Sequence, residues 1–162
     1  MSFVRGKNPD RQIQNHGMGR IAMKEKQPNE ASSTATGIDR VIQAWEERDG
    51  PAVFATVDAA QSMPNAIYVG EIRYIPGKGF IIADNYFSKT RANIKRGCKG
   101  AILFLTKERK SFQVKGTLSY HTGGPIFANM QSWHDPKYPG VAAVLLRVEK
   151  AYSGAEELFR AK

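Results

Sequence analysis

The chain has 162 residues, 41% of them hydrophobic and 24% charged, which predicts one domain able to bury a core and excludes a disordered or fibrous polymer. No apolar run approaches the roughly 20 residues that a membrane-spanning helix needs. The net charge of +9 points to an anionic partner, while the single cysteine, Cys98, excludes an internal disulfide and predicts a reducing, cytoplasmic setting.

Residues 1–33 are polar and aperiodic, and include QPNEASSTATG, which predicts a flexible N-terminal arm ahead of a folded domain over 34–162. The arm holds no apolar segment of signal-peptide length, so export is not expected. In TGIDRVIQAWEERDG, Ile38, Val41, Ile42 and Trp45 fall on one helical stripe. Thr36 and Asp39 predict a capping-box start, Gly50-Pro51 a stop, and Trp45 a place in the core.

From Pro51 the period shortens to that of strands. VFATV (53–57), NAIYVGE (65–71) and GFIIA (79–83) are each bounded by turn residues. AILFLT (101–106) is continuously apolar, which predicts a strand buried on both faces. SFQVKGTLSYH (111–121) alternates, with Phe112, Val114, Gly116, Leu118 and Tyr120 on one face. GPIFANMQSWH (124–134) returns to helical spacing, and VAAVLLRVEKAYS (141–153) reads as a last long strand. Short strands broken by small helices predict an antiparallel barrel, with an OB-type barrel as the alternative.

Hydrolase elbow, P-loop, zincin and paired-cysteine motifs are absent from the sequence. His16, His121 and His134 lie far apart without metal-ligand spacing, so no metal site is expected. Cys98 follows Gly97 in basic surroundings but has no base beside it, and reads as an inert thiol.

The segment DNYFSKTRANIKRGC (84–98) is the most informative. Ser88 reads as the N-cap of a short helix closed by Gly97, whose first turn holds Lys89 and Arg91 and no acid. Helix N-termini are partly positive and normally collect carboxylates, so cations there leave room for an anion brought by a ligand. Free amides, the hydroxyls of Ser88 and Thr90 and one or two cations suit a phosphate; a capped surface helix with solvated cations fits the same pattern. From Lys89 to Lys115 nine Lys or Arg (89, 91, 95, 96, 99, 107, 109, 110, 115) face one acid, Glu108.

SMPNAIYVG, a strand leading into FSKTRANIKR, and then VKGTLSY resemble the pyridoxamine 5'-phosphate oxidase-like FMN-binding split barrels, especially the small FMN-binding proteins among them. The resemblance spans about residues 40–153 in the expected order, with Lys-Thr-x-Ala-Asn as its most specific element. It implies a mainly β fold: an antiparallel, six- to seven-stranded split β-barrel with two or three short helices. It implies FMN as cofactor, with Ser88, Lys89 and Thr90 holding the phosphate. Tyr68, Val69 and Gly70 would run along the isoalloxazine edge, and Ala83, Asp84 and Asn85 would approach the ring and ribityl chain. It also implies a homodimer with the flavin near the interface, covered by a partner aromatic for which Tyr138 and Trp133 are candidates; for Trp133, core packing ranks first.

The arginine-rich strand and the C-terminal substrate signature of the oxidase that names the group are not found, so oxidation of pyridoxamine phosphate is not expected. Electron transfer or flavin-dependent redox chemistry on another substrate is the leading expectation. The Lys-Thr site does not separate FMN from a deazaflavin, and no haem-ligating histidine stands out. The contrasting reading is a basic OB-like barrel for single-stranded nucleic acid. That reading needs exposed aromatics among the cations, yet Phe104 and Phe112 fall on buried positions.

Overall fold

The computed structural model describes residues 36–162; the arm expected over 1–33 lies outside the described residues. Helix α1 (Gly37–Glu46) begins as its sequence predicts. The Thr36 hydroxyl accepts from the Asp39 amide at 3.4 Å, and the Thr36 amide donates to Asp39 Oδ2 at 2.9 Å, closing the capping box. Its stripe turns inward. Val41 and Trp45 are buried, and the Trp45 ring meets Phe80 and Phe104 edge-on at centroid distances of 4.9 and 5.0 Å.

Eight strands follow: β1 (Ala52–Asp58), β2 (Met63–Val69), β3 (Ile72–Ile75), β4 (Gly79–Asp84), β5 (Lys99–Leu105), β6 (Ser111–His121), β7 (Ala142–Ser153) and β8 (Glu156–Arg160). Helix α2 (Lys89–Lys95) lies between β4 and β5, and α3 (Gly124–Gln131) between β6 and β7. All ladders are antiparallel, in the order β2-β1-β5-β6-β7-β4-β3, with β8 pairing β7 off this path. The mainly β split barrel with three helices is as expected, but the strands exceed the expected six to seven. The additions are β3, which follows the bend at Gly70 with no strong turn signal, and β8, whose EELFR is mostly charged.

The path has two ends, β2 and β3, and no ladder joins them among the described residues. The Ala83 amide donates to the Glu71 carbonyl at 3.0 Å, which carries the β3–β4 ladder one position past Ile72 and Ile82 and makes no bridge to β2. The sheet therefore curls without closing.

Two apolar clusters hold it. The larger fills the curl with Trp45, Phe54, Phe80, Ile82, Ile102, Val114 and Leu146. The smaller lies on the other face of β4 and β7, where Ile81, Ala83, Ala143 and Leu145 meet Met130 from α3. Every residue of β4 is accordingly buried. The expectation that 101–106 is buried on both faces is not met. In β5 Ile102 and Phe104 point into the core, while Leu103 and Leu105 are 42% and 40% exposed. The cause is topological: no helix of the described chain covers the outer face of β5, whereas α3 covers β4. No helix among the described residues is long and apolar enough to cross a membrane.

Candidate functional site

The open seam of the sheet forms a cleft of about 380 Å³. One wall is the end of β2 and the following bend, through Ile67, Tyr68, Val69, Gly70 and Glu71; the other is Ala83, Asn85, Tyr86 and Phe87. Tyr138, in the connection between α3 and β7, completes the lining. Five of the residues singled out from sequence, Tyr68, Val69, Gly70, Ala83 and Asn85, thus converge on one cavity although 15 positions separate Tyr68 from Ala83. Glu71, Tyr86 and Phe87 belong with them and were not singled out.

The phosphate-site candidates divide. Ser88 and Lys89 are exposed at the start of α2, beyond the cleft lining. Ser88 occupies the N-cap position, but its side chain makes no capping bond. The Asp84 carboxylate accepts from the Phe87 amide at 2.9 Å and so fixes the turn that leads into the helix. Thr90 is only 2% exposed, and its hydroxyl accepts from Asn65 Nδ2 at 2.9 Å. Asn65 also donates to the Thr56 hydroxyl at 3.2 Å, which accepts from Asn93 Nδ2 at 3.1 Å. Thr90 and Asn93 lie one turn apart on one side of α2, so the Thr and Asn of Lys-Thr-x-Ala-Asn pin the helix to β1 and β2. Three polar residues on apolar surfaces (Thr56, Asn65, Asn93) were the available signal for this network.

Asp84 is fully buried and committed inside the protein. It accepts from Arg91 Nε at 2.6 Å, Arg91 Nη2 at 2.9 Å and the Tyr120 hydroxyl at 2.7 Å, besides the Phe87 amide. Its backbone carbonyl accepts from the Val141 amide. This bidentate pair answers part of the charge puzzle, because one of the two first-turn cations is neutralised from within. Hydrogen bonding to Asp84 raises the Arg91 guanidinium further above its ordinary range. Burial first, and then the bond to Asp84, push the Tyr120 phenol up to about 12. Lys89 has no ion-pair partner among the described residues.

The basic segment is less free than its composition suggests. Of its nine cations, Arg91, Arg96, Lys99, Arg109 and Lys110 pair with Asp84, Asp58, Glu149, Asp49 and Glu108. Trp133 packs against the cluster under α3 and donates to Asn129 Oδ1 at 3.2 Å, away from the cleft lining. Tyr138 is the candidate aromatic that reaches the cleft. Among the described residues no group of three or more His, Cys, Asp or Glu could hold a metal ion.

Known structures share this architecture. HupZ of Group A Streptococcus is similar at 27% identity, over 73% of this chain and 98% of that one, with a TM-score of 0.60. General Stress Protein 26 of Bacillus anthracis is similar at 13% identity, over 76% and 97% of the two chains, with a TM-score of 0.60. An FMN-binding protein of Syntrophomonas wolfei is similar at 19% identity, over 70% and 83%, with a TM-score of 0.57. No curated protein gives a significant match. The family profile described as pyridoxamine 5'-phosphate oxidase matches residues 38–161, from α1 through β8, and the chain belongs to that family.

Proposed function

We propose that this chain is an FMN-binding flavoprotein, working as a cytoplasmic homodimer in electron transfer or in flavin-dependent reduction or oxidation. The observation that carries the reading is the convergence of Tyr68, Val69, Gly70, Ala83 and Asn85 on one cleft at the seam, close in sequence to the unpartnered Lys89. The cleft volume falls within the roughly 300–1,000 Å³ of small-ligand sites. Its lining suits a planar ring: aliphatic and aromatic side chains, with the Asn85 amide and strand-end backbone to meet polar edges. Ser88, with no capping bond, and Lys89 are available for a phosphate; Thr90 holds the helix that carries them. Asp84 supports the same helix through Arg91, so we assign it orientation of the site and not contact with the ligand. A bound flavin supplies the electron and hydride chemistry, and the protein supplies position and potential. The fold shared with the FMN-binding protein of Syntrophomonas wolfei supports the choice of cofactor.

The dimer reading rests on the outer face of β1, β2 and β5. Val53 lies opposite Tyr68 on one side and Leu103 on the other, so the three side chains share that face. Tyr68 is 77% exposed and belongs to both this face and the cleft, which supports a reading with the flavin near the surface a second copy would cover. A lone cysteine suits the reducing compartment.

The test is a visible absorption spectrum of the full-length protein after FMN is added and the excess removed. Flavin bands should remain with the wild type. Lys89→Ala should keep the fold and weaken FMN binding about 10- to 100-fold, the loss of one charge-assisted hydrogen bond at roughly 1.5–3 kcal/mol. A protein that holds no FMN overturns the reading, and an unchanged affinity in the variant removes Lys89 from it.

A further inference from the structure

Behind the cleft wall lies an ionisable pair: Glu71, which lines the cavity and whose side chain is 17% exposed, and His134, which sits behind it. His134 follows α3, and its side chain is 6% exposed. Its Nε2 lies 2.9 Å from the Tyr138 carbonyl oxygen. A carbonyl can only accept, so Nε2 carries a hydrogen. In a neutral imidazole Nδ1 is then a bare lone pair. That atom sits 3.0 Å from Glu71 Oε2 with no hydrogen bond aligned to it, and it is the buried side-chain nitrogen or oxygen left unpaired among the described residues. Two acceptors that close, with Nδ1 itself shielded from water, repel; one proton on Nδ1 turns the same contact into an ion pair.

The Glu71 carboxylate is already placed to act as an anion. Oε1 accepts from the Asp135 amide at 2.8 Å, and Oε2 from Asn85 Nδ2 at 2.7 Å. Asn85 Oδ1 in turn accepts from the Gly140 amide at 3.0 Å. Both ends of the 134–140 loop are therefore fastened to Glu71, directly or through Asn85. Gly140 has φ +48°, and a Cβ there would run into the His134 ring, so the loop is closed tightly on the imidazole. The loop carries Tyr138 to the cleft, and Glu71 and Asn85 line the same cavity.

We propose that Glu71 and His134 form a proton-operated latch that sets whether the Tyr138 loop is held as the rim of the cleft. With the proton on Nδ1, the ion pair adds to the two amide bonds and the rim is held. When the proton leaves, the lone pair and the carboxylate repel and the rim loosens. By linkage, whatever favours the closed rim also favours proton uptake. The charged groups near the pair are few. Asp135 lies on the same loop, and Lys137 Nζ at 2.6 Å from its Oδ2 neutralises it and chiefly holds its carboxyl below the usual range. Asn85 and Gln131, from the neighbouring elements, are neutral, and Arg73 lies over the Trp133 ring at 5.0 Å from its centroid. The latch does not depend on what fills the cleft.

The experiment uses the full chain without added flavin. The His134 ring nitrogens and a Tyr138 ring signal, assigned with Tyr138→Phe, are followed by NMR across about pH 5 to 8, where histidine charge changes. The expected result is Nε2–H throughout, a proton on Nδ1 at the acid end, and a Tyr138 shift with the same midpoint. Glu71→Gln and His134→Gln should each abolish the Tyr138 titration; if one variant fails to fold, the other carries the test. A His134 that is Nδ1–H and neutral over the range overturns the latch, as does a Tyr138 signal that ignores the His134 titration. Neither outcome bears on FMN retention, so the two readings fail separately.

Discussion

Strands β4 and β5 look alike as text, GFIIAD and KGAILFL, and they meet opposite fates. β4 is buried along its whole length because α3 of the same chain lies over its second face. β5 is buried on one face only, and Leu103 and Leu105 stand in the open on the other. An apolar run reports that both faces shun water. It does not report whether the cover comes from the same chain, and on β5 we assign it to a second copy.

Replacement of Ile81 by Ala attacks the covered side. Ile81 is fully buried between β4 and α3, and its truncation should cost about 2–5 kcal/mol in urea unfolding. Leu103→Ala should cost about 0.5 kcal/mol or less in the isolated subunit, as surface substitutions usually do. A cost for Leu103→Ala that rises with protein concentration would sharpen the contrast, since stability drawn from association depends on concentration.

Leu103→Lys should leave the fold intact by circular dichroism and shift the mass in solution from dimer to monomer. A monomeric wild type, or an unaffected dimer in the variant, breaks the proposed difference between the two strands.

The smallest effect concerns Tyr120, whose phenol is raised to about 12 by burial and by its bond to Asp84. A raised folded value favours the protonated form, so this contribution is complete below the ordinary tyrosine value near 10 and lost as pH rises through about 12. Alkaline difference absorbance between the wild type and Tyr120→Phe should show one tyrosine titrating late. A phenol that titrates near 10 would mean the Asp84 cluster is open to water.

The candidate site was legible in parts that differ in kind. The cleft residues at 68–70, 83 and 85 came through the family resemblance, and the seam of the sheet brings them together. The charge puzzle at α2 was visible as a run of cations. Its internal partner was not, because Asp84 precedes the helix by five positions and meets Arg91 only after the chain has turned. Glu71 read as the polar end of a strand, yet it fastens a loop more than 60 positions later.

Local chemistry was enough for α1 with its capping box, for the alternating strand β6, for the long apolar strand β7, and for the short basic helix α2. These depend on hydrogen bonds and side-chain spacing within a few residues, which any reading of the chain contains. The resemblance over about residues 40–153 extended that to a split barrel. Only the tertiary structure decided which face of β5 stays open, that Arg91 is paired while Lys89 is free among the described residues, that Thr90 and Asn93 hydrogen-bond to Asn65 and Thr56, and that His134 faces Glu71. Each of those is a contact between distant segments, and the curl of the sheet sets it.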